Sequence, residues 1–256
     1  MSSTLYRSLT GFVRNGLRRL GYDIVRYRQL PRDLDPRITK IVREASEYTM
    51  TSVQRVAALC EAIGYIVEND IEGDIVECGV WRGGSMLAAI RTLQMHGNAE
   101  RNIHLFDTFE GMTLPTEADV EFNGKTAQEL LNSSDPNDAE SVWCYAPIEG
   151  VRAVLTSTGY DAQKLKFVKG RVEDTLPAAA PDRIALLRLD TDWYESTKHE
   201  LEHLYPRLVP GGVLIIDDYG HWQGARRAVD EYIGRNRLGL LLHRIDYSGR
   251  CAVKVS

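Results

Sequence analysis

The sequence predicts an α/β fold, a mainly parallel seven-stranded sheet with an antiparallel terminal hairpin, covered by helices on both faces. Three observations carry this expectation. Short, near-continuous apolar runs alternate with stretches of helical period, the pattern of strands buried on both sides. Five of these runs stop at a glycine or an acid: Gly79, Asp107, Gly170, Asp190 and Asp217. The last segment, "LLLHRIDYSGRCAVKVS", reads as a hairpin turning at Ser248-Gly249.

In chain order, "LYRSLTGFVRNGLRRLGYDIVRY" places Leu5, Leu9, Phe12, Val13, Leu17 and Leu20 near helical spacing, with Arg7, Arg14, Arg18 and Arg19 interleaved. Such a basic amphipathic helix can lie on an anionic membrane surface through residues 5–20, or pack on the body or on a second subunit. "RQLPRDLDPR" reads as a linker, so residues 1–40 form an N-terminal extension and 41–256 the main domain. Apolar spacing predicts a helix from about 43 to 69, within which "TMTS" offers cap hydroxyls. Strands follow at "DIVECG", "NIHLFD", "KLKFVKG", "RIALLRLD" and "GGVLIIDD", with helices after "WRGG" and at 194–207 and 223–235. Between Asp107 and Lys164 the rhythm breaks. Residues 113–148, polar around "NSSDPNDAES", read as a lid insertion, and "IEGVRAVLTSTGY" as the helix completing the crossover.

Composition narrows the classes. A chain of 256 residues with 43% hydrophobic and 26% charged residues suits one α/β domain with additions. No apolar stretch reaches the ~18 residues of a membrane span, and the N-terminus lacks a signal-peptide pattern, so the expected location is cytoplasmic. Cys60, Cys78, Cys144 and Cys251 show no CxxC spacing, which speaks for reduced thiols and against zinc. Residues 1–40 carry a local charge of +6 and the remainder −11, an acidic body that disfavours nucleic acid as a partner.

Ligands on open α/β sheets bind beyond the carboxyl ends of the strands, and Glu77, Gly79, Asp107, Gly170, Asp190, Asp217 and Asp218 all fall there. The loop "ECGVWRGGS", with Gly79, Val80 and Ser85, lets backbone approach a ligand and opens a helix N-terminus towards it. It is not GxGxxG, and no Walker loop occurs. Asp107, at the end of the next strand, can accept both ribose hydroxyls of a nucleoside. Asp190 and Asp217 end strands joined by one crossover helix, which makes those strands neighbours or near-neighbours. Asp190, Asp217 and Asp218 can then converge on a hard cation such as Mg²⁺, Mn²⁺ or Ca²⁺. The alternative for Asp218 is a helix cap or an ion pair. Trp81, Trp193 and Trp222 read as core or pocket wall, and His199 and His203 as helix surface.

Together "VECGVWRGGS", "FDTFEG", "ALLRLDTDWYEST", "YPRLVPGG" and "IIDDY" resemble the macrocin O-methyltransferase family over roughly residues 45–235, with the first 40 outside the likeness. The resemblance implies a Rossmann-like class I methyltransferase fold using S-adenosylmethionine, Mg²⁺-dependent transfer to a sugar hydroxyl, and self-association. It also implies residue roles. Asp190, Asp217 and Asp218 are the metal ligands. Glu77, Gly79, Val80, Ser85, Asp107, Thr108, Gly170 and Asp190 face the cofactor. Thr49 and Met50 form a flap over it, and Asp174 lies beside the adenine.

The expected chemistry is in-line displacement at a sulfonium carbon by an acidified hydroxyl, with Asp190, Asp192 or, third, His221 removing the proton. The acceptor is a sugar on a glycan, a glycolipid or a natural product, free or lipid-linked. Two rivals remain at this point. A metal-dependent glycosyltransferase would use Asp190-Thr191-Asp192 as a DxD motif, and a non-catalytic scaffold would bind membrane through the first helix.

Overall fold

The computed structural model describes residues 33–136, 138 and 141–255. The chain divides into two compact units, Met1–Asp33 and Leu34–Ser256, and every element named below belongs to the second. The basic helix expected at residues 5–20 lies outside the described residues.

Helix α1 (Pro36–Ala45) starts inside the stretch that reads as linker. Asp35 accepts the Arg37 N–H at 2.7 Å, and Pro36 needs no donor at the first helical position, so the polar pair is a helix start. The single helix expected from 43 is also interrupted. Helix α2 is Val53–Glu68, capped by the Ser52 hydroxyl 3.2 Å from the Arg55 N–H. Between the two helices the chain forms a flap. The Gly84 N–H donates to the Tyr48 carbonyl at 3.1 Å, and a β-carbon on Gly84 would collide with Tyr48 and Thr49. The flap therefore lies directly on the first turn of the helix that begins at Gly84.

The sheet contains β1 (Asp74–Cys78), β2 (Ile103–Asp107), β3 (Leu165–Lys169), β4 (Ile184–Leu189), β5 (Leu208–Ile216), β6 (His243–Arg244) and β7 (Arg250–Val253), in the order β3-β2-β1-β4-β5-β7-β6. Strands β1 to β5 are parallel, and β7 runs antiparallel between β5 and β6. The remaining helices are α3 (Gly84–Met95), α4 (Ala127–Ser133), α5 (Ile148–Thr156), α6 (Val172–Thr175), α7 (Tyr194–Leu204) and α8 (Gln223–Asn236). All six residues of β4 are buried, because β4 is central and has helices over both faces.

Chain direction along the sheet reverses about β1 and β4, so a crevice opens at their carboxyl ends. The Asp190 N–H donates to Cys78 and the Asp217 N–H to Leu189, both at 2.9 Å, which sets the three strand ends level. The insertion after β2 is not featureless. Helix α4 closes a capping box between Thr126 and Glu129, and its Ala127 and Leu131 bury themselves against Trp193, Trp222 and Ala225.

Candidate active site

A cavity lies over the ends of β1, β4 and β5. The flap residues Thr49, Met50 and Thr51 wall one side, and Gly79, Val80, Trp81 and Ser85 of the glycine loop form the floor. Asp190, Asp192, Asp217 and Asp218 face it from the strand ends, and His221, Trp222 and Tyr247 close the far wall. The three tryptophans expected as core or wall do line it: Trp81, Trp193 and Trp222.

Gly79 has φ +82°, and the Asp190 carbonyl occupies the place a side chain would need. Asp107 ties this loop down. One carboxylate oxygen accepts the N–H groups of Val80 (2.6 Å) and Trp81 (3.0 Å), and the other that of Phe109 (2.6 Å). A lone pair remains for a ligand on the oxygen that Phe109 engages, and Asp107 reaches two cavities. The second cavity is lined by Asp107, Thr108, Gly170, Glu173 and Asp190. Asp174, expected at the adenine, is exposed and lines neither cavity. The buried Val172 anchors the short helix α6 and turns its neighbour Glu173 inward.

Glu77 also departs from expectation. It is wholly buried, lines neither cavity, and meets Arg188 of the adjacent strand at 2.7 Å. Burial pushes its carboxyl up to about 8, against the pull of Arg188. Glu77 supports the floor from below rather than touching what lies on it.

The acids converge. Asp190, Asp217 and Asp218 each offer an oxygen, and the three lie within 4.8 Å of one another. Two guanidinium groups brace them. Arg188 holds Asp190 at 2.7 Å and Asp217 at 2.6 Å, and Arg55 of α2 pairs with the other Asp217 oxygen and, at 3.0 Å, with Asp246. Burial pushes Asp190 up to about 7, with Arg188 pulling it down and Asp217 pushing it further up. Asp218 rises well above the carboxylate range through burial and then through Asp192, Asp190 and Asp217. With all four carboxylates ionised only two guanidiniums would offset them, and the raised pKa values of Asp190 and Asp218 express that crowding. An all-oxygen donor set so crowded suits a hard divalent cation.

Asp192 adjoins the trio without joining it, its backbone N–H donating to Asp218 at 3.2 Å. Its φ is +66°, and one carboxylate oxygen accepts the Trp222 indole N–H at 2.8 Å. Burial pushes it up to about 6, the Trp222 bond opposing. It does not cap α7; the Tyr194 N–H there donates to Asp119 of the insertion at 2.7 Å. His221 lies on the wall 3.3 Å from Glu121, and burial lowers its pKa. His199 and His203 stack edge to face on α7 at 4.3 Å, away from the acids.

Sequence reasoning missed Arg188, Arg55 and Asp119. Arg188 had a signal, since a lone arginine inside "ALLRLD" must find carboxylates when that strand is central. Arg55 and Asp119 had none, because their partners lie 162 and 75 residues away.

This sheet order, with a glycine loop at its switch point, is that of the class I S-adenosylmethionine-dependent methyltransferases, the class to which the similar proteins assign the chain. The solved O-methyltransferase NovP is similar over 100% of both chains, at 27% identity and TM-score 0.71. CalS11, a calicheamicin methyltransferase, shares the fold at 18% identity and TM-score 0.60, covering 91% of this chain and 99% of its own. The macrocin O-methyltransferase family model matches residues 26–252, and the chain belongs to that family as an O-methyltransferase. A tetracenomycin-C 4'-O-methyltransferase of Streptomyces olivaceus, acting on a rhamnosyl derivative, is 36% identical over 217 residues, 85% of this chain and 79% of its own. The mycinamicin III 3''-O-methyltransferase of Micromonospora griseorubida is 31% identical over 202 residues, 79% of this chain and 76% of its own. The family match extends beyond the 45–235 expected and takes in part of the first 40 residues. Both rivals, glycosyltransferase and scaffold, fall with it.

Proposed function

We propose that this enzyme transfers the methyl group of S-adenosylmethionine to a sugar hydroxyl of a glycosylated small molecule, assisted by a divalent cation. The observation that carries this is the carboxylate trio, within 4.8 Å at the strand ends and facing the cavity that the glycine loop floors. Relatives named for rhamnosyl-tetracenomycin, novobiocin and mycinamicin chemistry support the acceptor class. Asp190, Asp217 and Asp218 would hold the cation, which when bound supplies positive charge that acidifies a nearby hydroxyl.

The chain's own groups do the rest. Backbone of the glycine loop and the Asp107 carboxylate position the nucleoside end of the donor, and Thr49 and Met50 cover it. Asp192 takes the proton of the acceptor hydroxyl. Asp190 is engaged by Arg188 and would be taken up by the cation, which leaves Asp192, with no ion-pair partner among the described residues, as the carboxylate free to accept it. As the oxygen–carbon bond forms, the sulfur–carbon bond breaks, leaving S-adenosylhomocysteine, a methyl ether and a proton on Asp192. Water is kept out by Trp193 and Trp222, both buried on the wall.

The test is an acceptor screen with labelled methyl donor, followed by Asp190→Asn, Asp217→Asn and Asp218→Asn. Each should reduce turnover by about 10²-fold or more while S-adenosylhomocysteine still binds. Chelator should suppress activity and Mg²⁺ restore it; full activity in chelator would reject the metal role. Self-association, cytoplasmic location and membrane contact through residues 5–20 belong to the same proposal. Light scattering and vesicle co-sedimentation check the first and last.

A further inference from the structure

The insertion is expected to act as a lid, yet residues 113–121 are fastened rather than loose. The Trp193 indole donates to the Thr113 carbonyl at 3.1 Å, and the Gln223 backbone N–H to Val120 at 2.9 Å. The Gln223 side chain donates to the Glu121 carbonyl at 3.0 Å. At the centre lies Asp119, with no exposed surface and no cationic partner among the described residues. Its carboxylate accepts the Thr116 N–H (2.7 Å) and hydroxyl (2.9 Å) on one oxygen and the Tyr194 N–H (2.7 Å) on the other.

A buried carboxylate without a cation needs other positive charge, and helix N-termini provide it. Tyr194 is the first residue of the 11-residue α7, whose N-cap residue, Trp193, offers no side-chain bond. Gly224, in the first turn of α8, lies so close that a β-carbon there would strike the Asp119 carboxylate. Asp119 thus fills a notch where the starts of α7 and α8 meet. Those two starts carry Trp193 and Trp222, whose rings meet edge to face at 5.0 Å. Asp192 hangs between them, in a left-handed conformation and bonded to Trp222.

We propose that Asp119 is a positioning residue: it seats the N-termini of α7 and α8 against each other and so holds Asp192 in its left-handed turn, facing the acceptor. The inference rests on Asp192 as the proton acceptor for its catalytic meaning. On this view residues 113–121 are a fixed wall, and any opening of the insertion lies beyond them.

Hydrogen–deuterium exchange on the full chain tests this without any acceptor. Asp119→Ala should speed exchange by about tenfold or more both in residues 113–121 and in the turn around 191–196. Asp119→Asn should restore protection of the turn, since its amide oxygen can still accept the Tyr194 N–H. Loosening confined to 113–121 would overturn the proposal. Gly224→Ala gives a second arm should Asp119→Ala fail to fold. Helix propensity alone predicts a higher melting temperature, whereas eviction of Asp119 predicts a lower one with faster exchange at 191–196. A rise in melting temperature would refute the seat. If exchange behaves as expected but Asp192→Asn keeps its turnover, the assignment of the base fails and the positioning stands.

Discussion

Arg188 is the residue on which the acids depend. It is 2% exposed in the middle of β4, and it pairs with Glu77, Asp190 and Asp217. Removing one member of a buried charge network leaves the others without compensation. Arg188→Met should therefore cost about 3–5 kcal/mol, read from urea unfolding, and weaken cation binding in the same protein. Asp246, linked to the trio only through Arg55, offers a pH test. Burial raises its carboxyl, but hydrogen bonds from Ser52 and from the Gly249 and Ser248 amides, with the charge of Arg55, outweigh that and lower its pKa. A carboxyl lowered on folding contributes stability that is present above its unfolded value of about 4 and is lost as the pH falls through the folded value. The stability difference between the parent and Asp246→Asn, large near neutrality, should shrink below about pH 4. A difference that does not change with pH would show that the carboxylate charge contributes nothing.

Among elements, the contact between the end of β1 and the end of β4 is the tightest constraint. Gly79 permits it by its φ of +82° and its missing side chain. Gly79→Ala would combine left-handed strain with a backbone collision, and should cost about 2–4 kcal/mol of stability in denaturant unfolding while abolishing cofactor binding. Helix α2 is tied to the terminal hairpin as well as to its own cap. The Ser52 hydroxyl accepts the Arg55 N–H and donates to Asp246 at 2.6 Å, and the Ser248 hydroxyl donates to the Asp217 carbonyl at 2.5 Å. The flap and the hairpin, which line the same cavity, are thus joined through the Ser52 hydroxyl, beside the Arg55–Asp246 ion pair. Ser52→Ala should cost about 1–2 kcal/mol, beyond a lost cap alone, and raise the KM for the donor and the acceptor together. A change in only one KM would show the two sides to be independent.

At the scale of the whole molecule, the cofactor should act as a clamp on the second unit, because flap, glycine loop and three strand ends all face one cavity. Ligand at 100 times its Kd adds about 2.7 kcal/mol of stability. For an ordered domain of this size that corresponds to a rise of roughly 5–11 °C in melting temperature with S-adenosylhomocysteine. No shift at saturating ligand would contradict the assigned floor.

The sequence by itself determined the layers, the parallel strands with their terminal hairpin, and the placing of acids at strand ends, because periodicity and strand-end composition are local properties. It also determined the family, through "VECGVWRGGS" and "IIDDY". It left the helix read from 43 unbroken although the cap hydroxyls at 49–52 marked a fresh start, which Ser52 provides; the seat of the intervening segment on Gly84, 36 residues from its partner Tyr48, had no local signal. Only the tertiary structure decided that Glu77 turns to Arg188, that Glu173 rather than Asp174 faces the second cavity, and that a carboxylate of the insertion caps α7. The first and last depend on which buried charge finds which partner across the fold, and the second on which face of a four-residue helix the core takes; distances of that kind are encoded in no local stretch of chain.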